Sequence, residues 1–188
     1  MVNVNKRVCP VEIAGGLDNR FRRLLQNPQK ILVNYVQEGM IALDLGCGSG
    51  FFSVEMARMV GESGLIIAAD LQEGMLQKLK TKIQGTEIEK KIQLHKCEED
   101  KIGVTENVDF ILAFYMVHEV SDQKKFFEEI KSILKLNGKV LIVEPKLFHV
   151  SKQAFEETMI IAKGIGLEPV ENPKILLSRA VILEKRLT

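Results

Sequence analysis

Three glycines alternate in the stretch Asp44-Leu45-Gly46-Cys47-Gly48-Ser49-Gly50-Phe51-Phe52. Glycine permits a tight turn and lets a ligand approach the backbone closely. A helix starting just beyond such a turn offers N–H groups that have no partner within the helix. A plain strand-to-helix turn needs one glycine or two. Three in strict alternation, with an acid two residues ahead of them, describe a cradle rather than a turn. A second acid, Asp70, ends the apolar run Leu65-Ile66-Ile67-Ala68-Ala69 about 20 residues past the glycine loop. Nucleotide-binding folds place a ribose-holding carboxylate at that spacing.

Two later segments carry further chemistry. Glu98 opens the acidic stretch Glu98-Glu99-Asp100, and Phe114-Tyr115-Met116-Val117-His118-Glu119 follows another apolar run. His118 is the best acid–base candidate, because an imidazole titrates near neutral pH. The competing reading is that His118 merely starts the next helix and bonds a backbone carbonyl.

Spacing disfavours other ligands. A dinucleotide fingerprint needs G-x-G-x-x-G, with a small third residue where helix packs on strand. That position is Phe51 when counted from Gly46 and Ser53 when counted from Gly48. The phosphate loop G-x-x-x-x-G-K-[ST] is absent. Cys9, His118, Glu144 and His149 would form a metal site only if distant segments converged; none has metal-ligand spacing, so no metal is expected.

These residues need elements to position them. Residues 40–45, 65–69, 108–114 and 139–143 are near-continuous apolar runs, as strands covered on both faces require, and residues 92–96 alternate as a less buried strand does. Phe126, Phe127, Ile130, Ile133 and Leu134 form one helix face, with Ser121 or Asp122 as cap and Gly138 after its end. Leu76, Leu79 and Ile83 mark a helix stopped near Gly85, and Asn27-Pro28 starts one expected to run to about Gln37. Ser151 caps a later helix bearing Phe155, Met159 and Ala162, and residues 167–186 read as two strands joined by a loop. Strand and helix in alternation imply a doubly wound α/β sheet whose ligands sit outside the carboxyl ends of the strands.

On Asp44, Gly46, Gly48, Gly50, Asp70 and the strand order, the chain resembles the class I S-adenosylmethionine-dependent methyltransferases. The resemblance covers residues from Pro28 onward. It implies a Rossmann-like, mostly parallel seven-stranded sheet with helices on both faces, the last strand, residues 178–184, running antiparallel. It also implies cofactor contacts from Asp44, Gly46, Cys47, Gly48, Gly50, Phe51, Asp70, Leu71, Glu98, Glu99 and Phe114. Glu98 would lie near the adenine amino group, with Glu99 or Asp100 as its alternative, and His118 and Glu119 would lie beside the reacting methyl group. S-adenosylhomocysteine would be the product. The Asn/Asp-Pro-Pro-Tyr signature of base methylation is absent, which disfavours a nucleic-acid substrate.

The 188 residues suit a single domain, with residues 28–188 as the cofactor-binding core and residues 1–27 as a lid over the acceptor. Deleting the stretch before Leu17 would then spare cofactor binding and cost turnover. Basic and acidic residues number 26 and 25, so no global field draws the chain to nucleic acid or to a membrane. A small-molecule acceptor is therefore expected. The rivals are a protein or RNA methyltransferase using Arg20, Arg22 and Arg23, a nicotinamide-dependent oxidoreductase, and a non-catalytic cofactor-binding module. Three cysteines without a CxxC pair, and no signal peptide, point to a reducing, cytoplasmic location.

Overall fold

The computed structural model describes residues 25–146 and 150–185. Cys9, the arginines at 20, 22 and 23, His149 and most of the expected lid lie outside the described residues.

Seven strands form one sheet: β1 (Ile41–Leu45), β2 (Leu65–Asp70), β3 (Ile92–Lys96), β4 (Val108–Phe114), β5 (Leu134–Pro145), β6 (Leu167–Glu171) and β7 (Ser178–Lys185). Their order is β3-β2-β1-β4-β5-β7-β6. The first five are mutually parallel, and β7 runs antiparallel to both β5 and β6. The order reverses between β1 and β4, which opens a crevice beyond their carboxyl ends.

The central strands are buried on both faces, which explains their unbroken apolar runs. Ala42, Ile66, Ala68, Phe110 and Leu112 face one core layer with α2 (Ser53–Met59) and α3 (Glu73–Ile83). Leu43, Ile67, Ala69, Ile111 and Ala113 face the other, with α4 (Gln123–Ile133) and α5 (Lys152–Ile165). Caps set the helix starts: Asp122 accepts from Lys125 N at 3.0 Å and Ser151 from Ala154 N at 3.0 Å. Gly166, at φ 91°, closes α5 in the left-handed conformation.

Two expected boundaries move. The helix begun at Asn27-Pro28, α1 (Pro28–Leu32), ends five residues before Gln37. Both Tyr35 and Val36 N–H groups turn back to Leu32 O at 2.8 and 2.9 Å. That turn stacks the Tyr35 ring on Phe110, with centroids 6.1 Å apart, and brings its hydroxyl 2.9 Å from Glu171. Tertiary packing thus overrides local helix continuation. Likewise β5 starts at Leu134, directly after α4, so Gly138 lies inside the strand beside a register shift rather than after a helix end. Among the described residues, no helix is long and apolar enough to cross a membrane.

Candidate active site

The glycine loop leaves β1 at Leu45 and is hung from β2: Gly46 N and Cys47 N donate to Ala69 O at 2.9 and 3.0 Å. Gly46, Gly48 and Gly50 all have positive φ, 69°, 55° and 80°. Their surroundings differ. A Cβ on Gly50 would lie 2.3 Å from Leu79 Cδ1, so Gly50 lets the loop press on α3. A Cβ on Gly46 would lie 3.1 Å from the Met116 side chain. At Gly48 nothing lies within 4 Å.

Asp70 ends β2 below this loop. Its Oδ2 accepts from Gly48 N at 2.8 Å and its Oδ1 from Gln72 N at 2.7 Å. Burial pushes its carboxyl above the usual range, against the pull of those N–H donors and of Lys96. Asp44 is buried and accepts from Ser53 Oγ at 2.5 Å.

A cavity of about 540 Å³ opens over the carboxyl ends of β1, β2 and β4. Asp44, Gly46, Cys47, Gly48, Phe51, Asp70, Leu71, Glu98, Glu99, Phe114 and Glu119 all line it; Gly50 and His118 do not. Leu25 and Gln26, from the expected lid, line it too, and sequence reasoning missed Phe52, Gln72 and Tyr115 as lining residues. Tyr115 alone carried a signal, its place directly after β4. Among the described residues, the walls hold eight carboxylates against a single cationic side chain, Lys101. Some already have tasks: Glu129 accepts from Ile102 N at 2.9 Å, and Asp100 pairs with Lys125 at 3.0 Å. Cys97 also lines the cavity, its thiol pushed up to about 12 chiefly by burial, so it is no thiolate nucleophile at neutral pH.

On the β4 side the wall is aromatic. Ring centroids are 5.1 Å apart for Phe51–Phe52, 4.4 Å for Phe52–Phe114 and 4.5 Å for Phe114–Tyr115. Tyr115 has φ 60°, a costly conformation for a bulky residue. Its hydroxyl lies 2.6 Å from Gln26 Nε2 and 2.6 Å from Ser178 Oγ. Ser178 donates onward to Leu176 O at 3.1 Å, which makes Tyr115 the donor to Ser178.

His118 sits in a single 3-10 turn, Val117–Glu119. Its Nδ1 is 2.5 Å from Glu144 Oε2, a carboxylate partner that sequence reasoning did not offer. That hydrogen bond raises its pKa above the ordinary 6.5, against the effect of burial. Among the described residues, no group of three or more His, Cys, Asp or Glu is placed to hold a metal ion.

Comparison with known proteins agrees with this architecture. A demethylmenaquinone methyltransferase of Lactobacillus johnsonii is 34% identical over 110 residues, which cover 58% of this chain and 45% of that protein. A ubiquinone/menaquinone biosynthesis C-methyltransferase of Haemophilus ducreyi is 27% identical over 110 residues, covering 58% and 42%. The chain thus spans less than half the length of these relatives. A solved SAM-dependent methyltransferase from Aquifex aeolicus superposes with a TM-score of 0.83 at 28% identity, over 94% of this chain and 98% of that one. The family model described as a methyltransferase domain matches residues 36–174, well over half of the sequence, and the chain therefore belongs to the methyltransferase domain family.

Proposed function

We propose that the protein binds S-adenosylmethionine and directs its methyl group to a small, uncharged, ring-containing acceptor, releasing S-adenosylhomocysteine. The observation that carries this reading is the pairing of Gly48 with Asp70. The glycine faces open space, and the carboxylate beneath it is held by two backbone N–H groups. Each carboxylate oxygen can accept more than one hydrogen bond, so Asp70 retains capacity for ribose hydroxyls. Glu98 and Glu99 line the same cavity, where the adenine end would lie. The acidic lining suits the sulfonium and ammonium charges, and no residue set of this kind suits a pyrophosphate. When bound, the cofactor supplies an electrophilic methyl group.

The chain's own part is to hold the acceptor in line and keep water out, since orientation can lower a barrier by roughly 7–11 kcal/mol. Phe51, Phe52, Phe114 and Tyr115 give the cavity an aromatic, apolar wall that suits a ring-containing acceptor. The relatives named for demethylmenaquinone and ubiquinone support that acceptor class. His118 and Glu119 are the groups proposed to take the acceptor's proton; Glu119 lines the cavity and His118 precedes it in the same turn. Residues 1–27 are proposed as the lid; Leu25 and Gln26, the described end of that segment, line the cavity. A reducing, cytoplasmic location is proposed as well, supported by Cys47 and Cys97 being free thiols.

Calorimetry with S-adenosylmethionine, S-adenosylhomocysteine and NAD, followed by an acceptor screen for S-adenosylhomocysteine release, tests the reading. Binding of the first two without NAD is expected; NAD binding as tight as theirs refutes it.

A further inference from the structure

Three separate parts of the chain meet at Tyr115. Its backbone, at φ 60°, lies in the left-handed region that bulky residues avoid, and its N–H donates to Val143 O of β5 at 2.8 Å. Its ring lies against Phe114, with centroids 4.5 Å apart. Its hydroxyl is 2.6 Å from Gln26 Nε2, in the chain ahead of α1, and 2.6 Å from Ser178 Oγ, at the start of β7. The direction of these bonds is set from the far end. Leu176 O can only accept, so Ser178 Oγ donates there, Tyr115 donates to Ser178, and the Gln26 group facing Tyr115 is the amide NH₂. Gln26 has a relative exposure of 9%, and Leu25, Gln26 and Tyr115 all line the cavity.

We propose that Tyr115 is a positioning residue for the acceptor: its hydroxyl clasps Gln26 to the start of β7 and so holds the chain ahead of α1 as a wall of the cavity. This rests on the reading of the cavity as a methyl-transfer site with residues 1–27 as its lid. The sheet separates the clasp from the proposed cofactor groups. Asp70 ends β2 and Glu98 lies just beyond β3, on one side of β1. Tyr115 follows β4, and Ser178 pairs with Pro145, the last residue of β5, on the other side. The clasp therefore bears on the aromatic end of the cavity and not on the ribose or adenine end. A strained backbone persists where its surroundings over-determine it. Here the bond to Val143 O, the packing on Phe114 and the two hydroxyl bonds hold Tyr115 in place before a ligand arrives, which lowers the ordering cost of binding. A role confined to packing needs the ring and not the hydroxyl.

Tyr115→Phe keeps the ring and removes the hydroxyl, and Gln26→Leu removes the partner at similar volume. Hydrogen–deuterium exchange of the peptide from Leu25 to Leu32 should be ~5–10-fold faster in either variant, the factor that one lost hydrogen bond allows. Exchange in peptides from β1 and β2 should not change. Calorimetry gives the functional readout, first with S-adenosylhomocysteine and then with 1,4-dihydroxynaphthalene, a flat, uncharged probe acceptor, added to that complex. The probe should bind each variant ~5-fold or more weakly, while the Kd for S-adenosylhomocysteine stays constant. The double variant should bind the probe no worse than the weaker single one, because both changes remove the same bond. Additive losses would show that Tyr115 acts on the acceptor without Gln26, and they overturn the proposal. Wild-type exchange of the Leu25–Leu32 peptide in Tyr115→Phe overturns it too, as does a loss of S-adenosylhomocysteine affinity equal to the loss for the probe. Gln26→Leu leaves β4 and β7 intact and carries the exchange and binding readouts if Tyr115→Phe fails to fold. Failure of S-adenosylhomocysteine to bind the wild-type protein refutes the transferase reading instead, and failure of the probe alone refutes the acceptor class; the exchange comparison decides the clasp in either case.

Discussion

Ser53 Oγ donates to Asp44 Oδ2 at 2.5 Å, with both residues buried, and so ties the first residue of α2 to the fourth residue of β1. The acid that announces the glycine loop is therefore a brace for that loop as well as part of the cavity wall. Ser53→Ala removes the brace and leaves a buried carboxylate with one donor fewer. Hydrogen bonds to charged groups contribute about 1.5–3 kcal/mol, and a loss of that size in urea unfolding is expected. A loss below about 0.5 kcal/mol would show that the contact carries little.

Gly48 and Gly50 should fail differently when replaced by alanine. Both alanines would suffer backbone strain of roughly 1–2 kcal/mol at positive φ. Gly50→Ala adds a collision with Leu79 and should unfold at clearly lower denaturant than Gly48→Ala. Gly48→Ala puts its methyl into open space and should chiefly weaken S-adenosylmethionine binding. Urea midpoints and calorimetry on both variants check the separation; equal stability would contradict it.

Asp70→Ala is expected to weaken S-adenosylmethionine binding by tenfold or more. It removes the proposed ribose acceptor and also frees the Gly48 and Gln72 N–H groups it holds. Binding to the wild-type protein should also weaken as pH falls through the raised Asp70 value, because protonation removes acceptor capacity. Wild-type affinity in Asp70→Ala would move the ribose role elsewhere.

The His118–Glu144 pair gives stability a pH dependence. The folded His118 pKa lies above its unfolded value, so the ion pair's contribution is fully present below about 6.5 and is lost as pH rises through the folded value. Melting temperature should therefore decline across that window from this pair, and the decline should flatten in Glu144→Gln. Thermal scans of both proteins from about pH 6 to 9, centred above the reference value for histidine, decide it; parallel curves would contradict the sign.

What the sequence determined is local. The apolar runs at 40–45, 65–69 and 108–114 specify doubly buried strands because only a sheet covered on both faces needs them unbroken. The alternating glycines mark the end of β1, and Asp70 marks the end of β2, because turn conformation and strand termination are properties of a few adjacent residues. The order of those strands then puts the cavity at the switch point. Tertiary structure decided the partnerships. Gly50 turned out to face Leu79 rather than the cavity, His118 met Glu144 at a separation of 26 residues, and Tyr115 met Gln26 and Ser178 at separations of 89 and 63. The early end of α1 has the same origin, in the packing of Tyr35 on Phe110. Such pairings depend on strand register, on the twist of the sheet and on where each helix crosses it. No short stretch of sequence encodes those, because they emerge only when distant segments compete for the same buried space.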